Sequence, residues 1–155
     1  FSPFKILIAI KILKGEKIID QADIDIDIGI YGFIPEEIIP QAELRLSIYK
    51  EISSIKENKN LEQNKKDFID RFGDVTSEIT NLYELSKLKN IARKLNILGI
   101  KYRDENFSLK LADDSRLIPP SSKIREIKVS AKDIKSDRLT FIMSKLESFL
   151  DKNEI

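Results

Sequence analysis

The stretch D-I-D-I-D-I-G-I-Y-G-F-I-P-E-E-I-I, Asp23 to Ile39, decides how the chain is read. From Asp23 to Ile28, aspartate and isoleucine alternate without a break. Successive side chains of a strand point to opposite faces. The segment therefore carries one isoleucine face and one carboxylate face, the pattern of a half-buried strand rather than of a reactive site. We expect that strand over Asp23–Ile30, with Gly29 and Gly32 interrupting its far end. Pro35 and Pro40 bracket a turn, where the missing proline N–H removes no central ladder bond.

Helices are expected from Pro40 to Leu98. The first covers about Gln41–Asn58, with Leu44, Ile48, Ile52 and Ile55 on one face at spacings of three and four. Asn60 followed by Gln63 reads as a capping box for a second helix over Leu61–Phe72, and Gly73 reads as its stop. On that helix Leu61, Phe68, Ile69 and Phe72 share one side, while Gln63, Asp67, Asp70 and Arg71 share the opposite arc. A third helix over Ser77–Asn96 has Thr76 as its cap and Ile79, Leu82, Leu85, Leu88, Ile91, Ala92 and Leu95 facing inward. Gly99 also reads as a helix stop.

Two short strands follow, Gly99–Arg103 and Phe107–Leu111, joined by a turn at Asp104, Glu105 and Asn106. Ala112–Ser122, with Pro119 and Pro120, reads as a connection, and Ile127–Ala131 as a further short strand. Asp137–Asp151 closes the chain as an amphipathic helix with Leu139, Ile142, Leu146, Phe149 and Leu150 inward. Near the start, Phe4–Lys14 is apolar nearly all round and reads as a helix that must be buried. The alternation of Ile6, Ile8, Ile10 and Ile12 leaves a strand open there. The fold class is α+β: helices packed on a small, mostly antiparallel sheet.

Composition excludes several classes of function. The 155 residues carry 41% hydrophobic side chains, enough for a core, and 34% charged ones that cancel to a formal net charge of +1. A dedicated nucleic-acid binder carries a stronger basic excess. With no Cys and no His there is no disulfide, thiolate nucleophile, imidazole base or Cys/His zinc site. A cysteine-free chain fits the cytoplasm. No apolar run reaches the roughly 20 residues of a membrane span. Lys5, Lys11 and Lys14 break the apolar start that would otherwise resemble a signal peptide.

Three constellations are candidates for chemistry. Asp23, Asp25 and Asp27 offer oxygen ligands for magnesium or calcium. Alternate strand carboxylates stand about 7 Å apart, however, and no D-x-D-x-D-G loop is present. Lys65, Lys66, Lys87, Lys89, Arg93 and Lys94 could touch phosphate in a small DNA-binding module, but Asp67, Asp70, Glu78 and Glu84 dilute their field. No phosphate-binding glycine loop occurs and no cofactor is called for. Asp67, Asp70 and Arg71 form a mixed-charge patch on one outer helical arc.

Three segments in order carry a family resemblance. They are I-P-E-E-I-I-P at Ile34–Pro40, R-L-S-I-Y-K at Arg45–Lys50, and D-R-F-G at Asp70–Gly73 followed by L-x-x-L-K-N-I-A-R-K-L-N-I at Leu85–Ile97. Their order and spacing resemble the C-terminal domain of the bacterial transcription-repair coupling factors, over Asp23–Leu111. After Leu111 the family has an additional helix that is shortened here to S-S-K-I-R-E-I.

The resemblance implies that a full-length parent is an ATP-dependent DNA translocase that displaces stalled RNA polymerase on double-stranded DNA and recruits repair through UvrA. It implies a regulatory role for this domain, docked on the N-terminal UvrB-like module of the same chain and masking the UvrA surface, with no catalysis of its own. Asp67, Asp70 and Arg71 match the interdomain docking positions. Because the chain starts at Phe1 rather than Met, it is expected to be a piece of a longer protein. Residues 1–20 would be a helix or linker from the preceding motor region, and residues 21–155 the regulatory domain.

Overall fold

The computed structural model describes residues 24–73 and 75–153. The expectations for Phe4–Lys14, for residues 1–20 and for Asp23 lie outside the described residues. The described chain has four helices and one four-stranded sheet, the expected α+β arrangement. It divides into two compact units, residues 31–87 and residues 24–30 with 88–153.

In the first unit, α1 (Ala42–Ser54), α2 (Asn58–Phe72) and the early part of α3 (Ser77–Lys94) enclose a core of Ile48, Ile52, Leu61, Phe68, Ile79, Leu82 and Tyr83. Ile34 and Ile39 join this core from the preceding loop. That loop has no ladder to satisfy its backbone, and helix side chains take over. The Ile34 N–H donates to the Tyr49 hydroxyl at 2.7 Å. Arg45 Nη1 donates to the carbonyls of Ile39 and Pro40 at 2.8 and 2.9 Å. Arg45 and Tyr49 lie four apart, on one face of α1, which is how R-L-S-I-Y-K holds I-P-E-E-I-I-P. Burial raises the Tyr49 phenol pKa, and the Ile34 hydrogen bond and Arg45 charge oppose that shift.

α2 starts earlier than its sequence suggests. Glu57 is its N-cap, without a side-chain cap bond, so the Asn60–Gln63 capping box does not form. Asn60 is already in the first turn, its N–H on the Glu57 carbonyl at 2.9 Å, and Gln63 is engaged elsewhere. Gly73 ends the helix at φ 88°, a backbone that L side chains rarely adopt, with its N–H on the Ile69 carbonyl. α1 also stops short, at Ser54, because Ile55 turns extended. At the start of α3 the Ile79 N–H reaches the Thr76 hydroxyl at 3.3 Å, the expected cap.

The second unit holds the sheet, in the order β1-β2-β3-β4. β1 (Asp25–Asp27) pairs parallel with β2 (Ile97–Arg103), which pairs antiparallel with β3 (Asn106–Leu111), which pairs antiparallel with β4 (Glu126–Ser130). β1 is thus shorter than the expected Asp23–Ile30, because Gly29 at φ 74° turns the chain away. Ile24 and Ile28 are buried and Asp27 is exposed, as the alternation predicts, whereas Asp25 and Ile26 are both half-buried.

Gly99 is no helix stop. It lies inside β2, and α3 ends instead at Asn96, which adopts φ 54°. Asn tolerates the left-handed region because its short amide finds local partners; here Asn96 Nδ2 donates to the Asp114 carbonyl at 3.3 Å. Asp104 and Glu105 both have positive φ, 52° and 61°, so the hairpin turns through two residues. Asn106 belongs to β3.

The inner rows of the sheet are apolar: Ile100 and Leu109 in one, Phe107 and Val129 in the next, all buried. α4 (Arg138–Asn153) covers this side. Phe141 stacks on Phe107 at 5.9 Å between centroids, and the Arg138 guanidinium lies 4.0 Å over the Tyr102 ring while Nη1 donates to the Ile28 carbonyl. The connection expected over Ala112–Ser122 runs on to residue 125, without a helix. No helix among the described residues is long and apolar enough to cross a membrane.

Two stability outcomes follow. A Cβ on Gly32 would run into the backbone nitrogen and Cα of Leu82. Gly32→Ala is therefore expected to lower stability by about 1–3 kcal/mol in urea unfolding, because the obstruction is helix backbone. Asp137 caps α4, accepting from the Thr140 N–H and hydroxyl at 2.8 Å each. These bonds hold its carboxyl pKa below the ordinary value. Its contribution is present above the unfolded-state pKa and is lost as pH falls through the lower folded-state pKa. Asp137→Ala should cost about 1 kcal/mol near neutral pH. In pH-dependent denaturation the gap from the parent chain should narrow on acidification.

Candidate functional site

The outer arc of α2 is built on a firmly held helix. Leu61 and Phe68 are buried beneath it. Phe68 meets Phe72 at 4.8 Å and the edge of Tyr83 at 6.5 Å between ring centroids. The Tyr83 hydroxyl donates to Asn64 Oδ1 at 2.6 Å, bolting α2 to α3 midway along its length. Burial raises the Tyr83 pKa well above the usual phenol range, and the negative charges of Glu51 and Asp67 push the same way. The phenol therefore stays a donor at any physiological pH. Lys87 on α3 pairs with Glu62 of α2 and with Glu84, 3.1 Å away.

Asp67, Asp70 and Arg71 are all exposed on the opposite side of α2. Asp70 and Arg71 follow Asp67 by three and four positions, which makes each its surface neighbour. Gln63 Nε2 donates to Asp67 Oδ1 at 3.0 Å, which fixes the Asp67 end of the arc. The Arg71 guanidinium rests 4.8 Å over the Phe72 ring. It also lies in the last helical turn, where a cation meets the negative end of the helix dipole favourably. The arc thus presents two carboxylates and one oriented guanidinium on a rigid support. It holds no assembled nucleophile and base, so what it can do chemically is pair with complementary charges.

The other candidate groups are not brought together in this way. Asp25 is half-buried and Asp27 exposed, and no group of three acidic, His or Cys residues among those described could hold a metal ion. Of the helix lysines, Lys89 is buried at 6% exposure, Lys87 is ion-paired, and Arg93 donates to Asn90 Oδ1 at 2.9 Å. They do not form one solvated basic face. A basic surface does exist elsewhere, on the sheet, at Lys101, Arg103, Lys110 and Lys128. The sequence conceals it, because only cross-strand register gathers those residues.

Comparison with known proteins defines the class. Residues 28–122 match the TRCF domain, and the chain belongs to that family. It is 30% identical over 148 residues to the transcription-repair-coupling factor of Rickettsia conorii, covering 94% of this chain and 13% of that protein. It is 28% identical over 121 residues to that of Rickettsia bellii, covering 78% and 11%. The corresponding protein of Escherichia coli K12 is 28% identical over 95 residues, 61% of this chain and 8% of that one. The chain thus spans about a tenth of the length of these relatives. Its fold is that of a solved crystal structure of the C-terminal domain of transcription-repair coupling factor, with a TM-score of 0.68 and 18% identity over 85% of this chain and 96% of that one.

The support under the arc is testable. Tyr83→Phe removes the donor to Asn64, and is expected to lower stability by about 1 kcal/mol in chemical denaturation. The α-helical circular dichroism should remain unchanged.

Proposed function

We propose that this domain is a regulatory docking module that performs no reaction of its own. In the full-length coupling factor that carries it, an ATP-driven translocase acting in the cytoplasm on double-stranded DNA and stalled RNA polymerase, the outer arc of α2 packs against the N-terminal UvrB-like module. That contact covers the surface UvrA binds and restrains the motor. The observation that supports this reading is the pairing of a rigid apolar anchor with an exposed charged arc on one helix. Leu61 and Phe68 are buried, while Asp67, Asp70 and Arg71 are all exposed.

The physics suits a latch. A closed state weakens UvrA binding by the fraction of molecules that are open. Charged contacts formed on docking hold the closed state without the desolvation of a large apolar patch, so the latch can reopen. Truncating one side of a charge pair costs about 2–5 kcal/mol when the pair is buried and hydrogen-bonded, and about 0–1 kcal/mol when it stays wet. A tether between the modules supplies effective concentration, so the contact can be weak between separate pieces.

Asp70→Ala combined with Arg71→Ala in the full-length coupling factor is expected to raise both UvrA affinity and basal ATPase activity. A loss of about 1.4 kcal/mol of latch energy shifts the closed-to-open ratio tenfold. Both residues are exposed, so folding should be unaffected. Unchanged UvrA binding and ATPase in the double variant would take these residues out of the latch.

A further inference from the structure

We infer that the solvent face of the sheet is a second docking surface, one that takes a short acidic segment of a partner protein carrying an apolar side chain. The surface is distinct from the α2 arc and does not depend on the reading of that arc. Register builds it. Lys101 of β2 and Lys128 of β4 both stand opposite Ser108 of β3, in one row across three strands. Strand spacing puts them about 10 Å apart. Lys110 lies in the neighbouring row opposite Gly99, and Arg103 in the row beyond Lys101.

All four cations are exposed. Among the described residues none of the four has a carboxylate within ion-pair distance, whereas Arg45, Lys87 and Arg125 do. Gly99, in the middle of the face, is buried, and a Cβ there would meet the Asp25 carbonyl at 3.3 Å and the Lys110 and Asp25 Cβ atoms at 3.8 and 3.9 Å. Beside it, at the irregularity between Ile97 and Gly99, Leu98 is 40% exposed. Exposed cations without an ion-pair partner beside an exposed leucine fit carboxylates and an apolar residue together.

Two features favour a short acidic protein segment over nucleic acid. The rows end on carboxylates: Asp25 stands opposite Gly99 and Asp27 opposite Lys101 at the β1 edge, and Glu126 opposite Lys110 at the β4 edge. A duplex crossing the sheet would meet these charges, whereas a short segment lying along β2 and β3 avoids them. Among the described residues of the sheet no aromatic ring lies on this face for base stacking, because Phe107 and the Tyr102 beside it belong to the apolar side under α4.

The test measures binding of a short fluorescent peptide of glutamate and leucine to the full chain by anisotropy. We expect binding that weakens with added salt and that falls at least about tenfold in Lys101→Glu/Lys128→Glu. Lys59→Glu/Lys66→Glu changes the net charge equally at exposed positions of α2 and should bind as the parent does. Circular dichroism should be the same for all three proteins. The inference is overturned by no binding to the parent chain, by equal losses in the two variants, by equal binding of a glutamate–serine peptide, or by tighter binding of a short DNA duplex that the sheet variant abolishes.

Discussion

The backbone of residues 31–40 imposes the constraint on which the first unit depends. This segment belongs to no sheet, and buried backbone groups without partners are costly. Its own turn takes the Ile38 and Ile39 N–H groups to the Pro35 carbonyl. The other partners are drawn from helices. The Tyr31 carbonyl accepts from Asn81 Nδ2, the Phe33 N–H donates to the Glu78 carbonyl, and Tyr49 and Arg45 serve the rest. The Phe33 bond draws the segment so close to α3 that Gly32 lies against the Leu82 backbone. α1 and α3 are thereby fixed to one strap, with Ile34 and Ile39 pressed into the core between them.

Once α1 and α3 are set, the orientation of α2 follows. Its apolar side must complete the core through Leu61 and Phe68, and Asn64 must meet the Tyr83 hydroxyl. A helix has one rotation that satisfies both. At that rotation Asp67, Asp70 and Arg71 have no choice but to face solvent. The charged arc is therefore a consequence of core packing. Its chemistry can vary without disturbing the core, because none of the three side chains is buried.

Helix faces were legible in the sequence because their period is local. Ile48, Ile52, Leu61, Phe68, Ile79 and Leu82 all fall where a helical spacing puts them, and all are buried. The fold class and the exposed α2 arc followed from the same signal. Boundaries were less legible. Asn60–Gln63 has the composition of a capping box, but the helix begins at Asn58 and turns Gln63 toward Asp67. Gly99 looked like a stop because glycine often is one. The actual stop, Asn96, relies on Asp114 far along the chain. The basic sheet face was illegible for a related reason. Lys101 and Lys128 are 27 positions apart in sequence and become neighbours across β3 only through register.

The two surfaces differ in what they can accept. The α2 arc offers carboxylates with one guanidinium, a charge pattern complementary to a surface of basic character with an acid to meet Arg71. The sheet face offers unpaired ammonium and guanidinium groups, so it selects the opposite sign. Like charges brought together across an interface cost several kcal/mol, so neither surface readily takes the other's ligand. Both carry polar groups on rigid secondary structure rather than on loops, which reduces the ordering cost of each contact. The two surfaces therefore differ in the sign of the charge they present, and each presents it on regular secondary structure.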